Sequence, residues 1–322
     1  MSRQQRAEID AMIRRPRREG PAGAEGSQSP EGTEGPGSVE ELRAGFRAMM
    51  AEMIVPTGIR TRAATLGARP ALLVEPHDAP RAGTILYFHG GSYVVGSPHT
   101  ALSLTGNLVS RTRFRALSLD YRLAPEHPFP AAIEDALSAY RALLDGGEDP
   151  SAIAFAGDSA GGGLAVTTCL AARDAGLPMP SAIVAFSAGL DMTRTGPSMD
   201  TRAGADPYFT RAGLEHTGAL YSAGQDPHQP LLSPAVLADL AGLPPMLLQV
   251  GTNEILLDDS TRLAARAREA AVDVVLDVVA DVPHVFQAFA GILDEADEAL
   301  DRAALFLTQR IRATRTARPR ND

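Results

Sequence analysis

The chain has 322 residues, 44% of them hydrophobic and 21% charged, a balance that suits one large α/β domain or two smaller ones around a well-buried core. Its formal net charge of −9 and pI near 5.3 argue against whole-protein attraction to nucleic acid or to an anionic membrane. Lysine is absent and Cys169 is the single cysteine, which excludes Schiff-base lysines, a Ser-Lys dyad, a P-loop, an internal disulfide and Cys-rich metal sites.

Met1-Ser2-Arg3-Gln4-Gln5-Arg6-Ala7-Glu8 contains no apolar run of a secretory leader, and no later stretch approaches the roughly 20 apolar residues of a membrane span. No signal peptide, no membrane span and a cytoplasmic location are therefore expected. Residues 1–19 read as a short helix with Ile9, Met12 and Ile13 on one side, and Arg14, Arg15, Arg17 and Arg18 as a solvated face at its end. Residues 20–37, rich in Gly, Pro and Glu, read as a flexible linker, and residues 313–322 as a flexible basic tail. Between them, Ser38 reads as the N-cap of a helix over 38–56. Leu42, Phe46, Met49, Met50 and Met53 recur at helical spacing, and the helix should end before Pro56.

From about residue 57 to 312 strand and helix alternate. Apolar runs at 71–74, 84–88, 116–119, 153–156, 183–186, 246–250 and 274–279 predict buried strands. Helical composition marks 131–144, 161–172, 260–271 and 286–311. Cys169, inside the second of these, reads as a small buried hydrophobe. Repeated β-then-α order implies a mostly parallel sheet with helices on both faces. Residues 192–230 break the rhythm and read as an insertion over the strand ends, where open α/β sheets bind ligands.

Three segments carry chemistry. Gly157-Asp158-Ser159-Ala160-Gly161 joins a predicted strand to a predicted helix, the setting of a nucleophile elbow in which small neighbours let the serine turn be sharp. Glycine-rich strand–helix turns also cradle phosphates, but this one lacks a G-x-G-x-x-G pattern and comes mid-sheet. His89-Gly90-Gly91-Ser92-Tyr93 follows the strand 84–88. The Gly90 and Gly91 amides, with that of Ala160, are the expected donors to a reaction oxyanion. His89 is expected to hold the loop by hydrogen bonds rather than act as base or metal ligand.

Without lysine, the base for Ser159 should be a histidine, and the chain order serine, acid, histidine leaves His216, His228 and His284. His284, on the loop after the last strand, is the expected base. His216 and His228 fall in the insertion as surface or pocket-lining residues. For the acid, Glu254 lies closest to the end of the strand 246–250 and is preferred over Asp258, which with Asp259 reads as a cap of the next helix.

Taken together, these stretches resemble the hormone-sensitive-lipase-like (bacterial family IV) carboxylesterases. The matching residues are His89 to Tyr93, Asp120-Tyr121-Arg122-Leu123-Ala124-Pro125-Glu126-His127-Pro128-Phe129-Pro130, Gly157 to Gly163, Gly242-Leu243-Pro244-Pro245 and Pro283-His284, spread over residues 80–312. The resemblance implies an α/β-hydrolase fold with a small helical cap to which residues 38–55 contribute. It implies a purely structural role for the Tyr121-to-Glu126 stretch, so no chemistry falls to Arg122 or Glu126. It further implies hydrolysis of small-molecule esters with short to medium acyl chains, with no cofactor and no metal. Lactone or N-acetyl hydrolysis by the same residues stands as the alternative, and a silent ligand-binding member as a more distant one. Tyr93, Tyr208 and Phe209 are the expected substrate-binding residues, and a homodimer is an open expectation. Three departures stand out: Ser92 replaces the family's third glycine, Ala188 and Gly189 replace bulkier residues after Ser187, and the acid is Glu where Asp is common.

Overall fold

The computed structural model describes residues 38–312 together with Gln5 and Ile9. Met12, Ile13, the Arg14–Arg18 patch, the 20–37 linker and the 313–322 tail lie outside the described residues. Ile9 is helical and is buried in one of the two main cores.

The described strands form one eight-stranded sheet in the order β1-β2-β4-β3-β5-β6-β7-β8. The strands are β1 (Ile59–Leu66), β2 (Arg69–Pro76), β3 (Thr84–Phe88), β4 (Arg115–Leu119), β5 (Ile153–Asp158), β6 (Ala182–Phe186), β7 (Met246–Gly251) and β8 (Val274–Val279). β2 runs antiparallel to both neighbours, and every other pairing is parallel. The seven predicted strands are all present, but the one at 274–279, β8, is an outer strand with no fully buried residue rather than a buried strand. β1 was not expected, because Ile59-Arg60-Thr61-Arg62 is polar at the sheet edge and is largely exposed.

Period-two alternation divides each central strand between two cores. Leu86, Phe88, Phe155, Ile183 and Ala185 face one side, while Ile85, Tyr87, Ala154, Val184 and Phe186 face the other. Helices Ala131–Asp145, Ala160–Asp174 and Leu257–Glu269 cover the first face, and Leu102–Thr112 and Asp294–Arg310 the second. Cys169 is fully buried in the first core, as expected. Helix Leu102–Thr112 was not foreseen: Leu104, Leu108 and Val109 enter the second core, but the polar or small Ser103, Thr105, Gly106 and Asn107 between them are buried too. A Cβ on Gly106 would stand 2.7 Å from Ile59 Cδ1, so the glycine lets β1 close on this helix. The expected 286–311 helix is two elements, a short 3₁₀ turn Phe286–Phe289 and the helix Asp294–Arg310, separated by Gly291 at φ 82°.

Ser38 caps helix Val39–Met50 in a reciprocal capping box with Glu41. Arg43 of that helix binds Glu126 at 2.6 Å and the Val94 carbonyl at 3.0 Å, tying the helix over the loop after β3. Arg122 in turn pairs with Asp135 at 2.8 Å. Both roles are structural, as the resemblance implied.

Candidate active site

The loops that matter leave the C-terminal ends of adjacent parallel strands, the edge at which open α/β sheets assemble ligand sites. Ser159 lies between β5 and helix Ala160–Asp174, at φ 52° and ψ −121°. That left-handed backbone is costly for a side-chain residue. It is held by the Ser159 amide donating to the Phe186 carbonyl at 2.8 Å and by the Gly163 and Gly189 amides, each donating to the Ser159 carbonyl at 3.1 Å. The flanking glycines are a steric necessity. A Cβ on Gly157 would stand 2.7 Å from the Phe88 carbonyl oxygen, and one on Gly161 would fall on that same oxygen.

His284, after β8, donates from Nδ1 to Glu254 Oε2 at 2.8 Å, and both side chains are buried. The bond fixes the tautomer, leaving Nε2 as a lone-pair acceptor. Nε2 is buried and has no hydrogen-bond partner among the described residues. Burial disfavours the charged imidazole, but the Glu254 bond and charge outweigh it and His284 titrates above its ordinary value. The other carboxylate oxygen of Glu254 accepts from the Gly251 amide at 2.5 Å and from Ser187 Oγ at 2.8 Å. Ser187 Oγ also accepts from the Val285 amide at 2.9 Å. Since Ser159 hangs on Phe186 and the His284 loop on Ser187, consecutive residues after β6 register the two against each other.

Asp258 is elsewhere. Its carboxylate accepts the Ser198 amide at 2.6 Å and the Thr261 hydroxyl at 3.2 Å. Asp259 accepts the Leu190 and Asp191 amides at 2.7 and 3.0 Å. Both sit in the first turn of helix Leu257–Glu269, but the cap position is Leu256 and their carboxylates anchor the segment after β6.

After β3, Gly91, Ser92 and Tyr93 all have positive φ, at 119°, 53° and 61°. His89 donates from Nδ1 to the Gly90 carbonyl at 2.8 Å, stacks on Tyr121 at 4.1 Å and accepts the Tyr121 hydroxyl at its own carbonyl at 2.7 Å. Burial lowers its pKa to about 4. His89 is thus a neutral strut of the loop, as expected.

Gly90 lies against Asp158: a Cβ at Gly90 would fall on an oxygen of that carboxylate. The pocket beside Ser159 is lined by Ser92, Tyr93 and Ala160, among others. The Gly91 and Ser92 amides donate to no described residue. Asp158 accepts the Tyr87 hydroxyl at 2.8 Å, and burial raises its pKa to about 6.

Tyr93 lines the pocket and stacks on Tyr221 at 3.9 Å. Tyr208 and Phe209 do not line it. Phe209 instead packs edge-on against His284 at 4.7 Å, and Tyr208 packs against the second core. His216 is half-buried and His228 exposed, and neither lines the pocket.

A family model described as the alpha/beta hydrolase fold matches residues 85–288. The chain belongs to the α/β-hydrolase fold family. It is 43% identical over 224 residues to an acetyl-hydrolase of Streptomyces hygroscopicus, covering 70% of this chain and 75% of that one. It is 38% identical over 228 residues to an esterase of Acinetobacter venetianus, covering 70% and 74%. A crystal structure of an esterase from the bacterial hormone-sensitive lipase family superposes with a TM-score of 0.88 at 40% identity, covering 97% of this chain and 100% of that one. Within the α/β-hydrolase fold family the chain is a hydrolase of the hormone-sensitive-lipase-like branch. Among its described residues no group of three or more His, Cys, Asp or Glu could hold a metal ion, and no helix is long and apolar enough to cross a membrane.

Sequence reasoning passed over Ser187, Asp158 and Tyr87 as functional positions. Asp158 and Tyr87 had a legible signal, polar groups ending or interrupting apolar strands. Ser187 had none, because its two partners come from segments far along the chain.

Proposed function

We propose that this α/β hydrolase is a serine carboxylesterase for short to medium acyl esters, with Ser159 as nucleophile, His284 as base and Glu254 as acid. The observation that carries the reading is the buried His284–Glu254 bond, which leaves an unpartnered Nε2 on a loop registered against Ser159.

In the first half-reaction Nε2 takes the Ser159 hydroxyl proton as Oγ attacks the ester carbonyl, and Glu254 stabilises the imidazolium. Collapse of the tetrahedral intermediate breaks the bond to the alcohol oxygen, which leaves with the proton from Nε2. Water, deprotonated by Nε2, then attacks the acyl-enzyme, and the carboxylic acid departs as Ser159 is reprotonated. The Gly90, Gly91 and Ala160 amides are the oxyanion donors in this reading. Ser92, where the family has its third glycine, adopts at φ 53° the backbone for which glycine is preferred. Each such donor is worth roughly 10²–10³ in kcat. Helix Val39–Met50 and the 192–230 insertion form the cap.

Labelling by a fluorophosphonate probe tests the reading. The full chain should react covalently and Ser159→Ala should not; a folded wild-type protein that stays unlabelled leaves only the silent-binder alternative. A panel of p-nitrophenyl esters, lactones and N-acetyl amides separates ester from lactone or N-acetyl preference. The homodimer reading has its support in the outer strand β8, where Val275 and Val278 are 48% and 43% exposed. A monomer in sedimentation velocity removes it.

A further inference from the structure

Arg194 stands in the pocket with its hydrogen-bonding capacity almost unused. A guanidinium carries five N–H donors. Among the described residues one of them meets a partner, the Met192 thioether at 3.3 Å, which is a weak acceptor. The nearby charges are engaged elsewhere: Asp191 pairs with Arg262 at 2.9 Å, and Asp259 accepts two backbone amides. Asp259, Asp191 and Glu215 act on Arg194 only as more distant charges.

Gly218 lies beside the guanidinium, at a distance where an added Cβ would make an ordinary contact of 3.6 Å with Nη2. The Arg194 backbone itself is left-handed, at φ 54°, a conformation that side-chain residues keep only when their surroundings impose it.

The pocket that Arg194 lines contains Ser159, Ala160 and Ser92 but neither His284 nor Phe209. An alcohol that takes its proton from His284 must leave on the His284–Phe209 side. The Arg194 pocket therefore receives the acyl chain.

We propose that Arg194 is a specificity-determining residue that selects esters whose acyl chain ends in a carboxylate, the half-esters of short dicarboxylic acids. This rests on the Ser159 acyl-transfer reading above. A guanidinium meets a carboxylate through two parallel charge-assisted bonds, whereas an apolar chain end would strip water from its donors without replacing it.

The test compares monomethyl glutarate with methyl valerate, equal in acyl length, by pH-stat on the full chain. In Arg194→Met the glutarate-to-valerate ratio of kcat/KM should fall ~10–100-fold, the loss of a charge-assisted hydrogen-bond pair. Arg194→Lys should recover part of that loss, and Arg194→Gln serves if the methionine variant does not fold. A ratio unchanged within about twofold in Arg194→Met, or a wild-type enzyme that does not hydrolyse the glutarate, overturns the proposal. Ser159→Ala separates the two readings: methyl valerate turnover surviving in that variant refutes the Ser159 assignment, whereas an unmoved ratio refutes only the role of Arg194.

Discussion

Ser187 donates its hydroxyl to Glu254 Oε1 at 2.8 Å, on the carboxylate oxygen that His284 leaves free. Because the same hydroxyl accepts the Val285 amide, one buried atom ties Glu254 to the loop that carries His284.

Removing that hydroxyl in Ser187→Ala strands the Val285 amide and leaves Glu254 Oε1 to Gly251 alone. The expected result is a stability loss of about 1–3 kcal/mol by thermal or denaturant unfolding. In kcat, a fall approaching 10²-fold is expected as the triad loosens, with a smaller change in KM. Ser187→Thr, which keeps the hydroxyl, should recover part of the rate. Equal rates in Ser187→Ala and wild type would show that the Glu254 position does not depend on this bond.

His284 must be neutral to act as base, so activity rises with pH as the imidazole loses its proton. Burial alone would place this transition below the ordinary value of 6.5, but the Glu254 bond and charge raise it, so the acid limb of kcat/KM should lie above 6.5. Stability follows the opposite sign: the raised pKa stabilises the fold below pH 6.5, and that contribution is lost as pH rises through the folded value. Glu254→Gln should move the acid limb to lower pH and cut the plateau rate by ~10²–10⁴-fold. Should Asp258→Asn be the more damaging change in a folded protein, the acid is misassigned.

Asp158 makes a pH-dependent contribution of its own. Burial lifts its pKa from 3.8 to about 6, so the favourable protonated state is fully populated below pH 3.8, and its stabilising effect is lost as pH rises through about 6. Asp158→Asn is neutral throughout and should therefore gain stability relative to wild type more at pH 7.5 than at pH 4.5. Its kcat should fall, because the side chain that packs against Gly90 loses its charge and the loop after β3 loosens. Unfolding curves at the two pH values check the first claim, and a stability difference independent of pH would contradict it.

Gly161→Ala places a methyl group on the Phe88 carbonyl oxygen, against backbone that cannot yield. A loss of about 1–3 kcal/mol or more is expected, with activity falling in parallel as the Ser159 turn opens. Wild-type stability in that variant would mean that the turn is less tight than described.

The residue string by itself determined the fold class and singled out Ser159 as the candidate nucleophile. The seven expected strands were legible because each is a largely apolar run, though β8 is a partly exposed outer strand, and Gly157, Ser159 and Gly161 because a strand-to-helix turn this sharp needs small residues. His284 followed from chain order and the absence of lysine. β1 and helix Leu102–Thr112 were not foreseen: β1 is a polar, largely exposed edge strand, and in the helix the apolar face of Leu104, Leu108 and Val109 is interleaved with Ser103, Thr105 and Asn107, which are buried beside it.

Only the tertiary structure distinguished the remaining candidates for the site. Glu254 and Asp258 have the same chemistry four residues apart, and what separates them is that one meets His284 while the other meets Ser198. Gly90 lies against Asp158 because two neighbouring parallel strands, β3 and β5, end side by side. Arg194 is one arginine among 30 basic residues. It became distinct only when the fold placed it in the pocket and committed the nearby carboxylates to other partners.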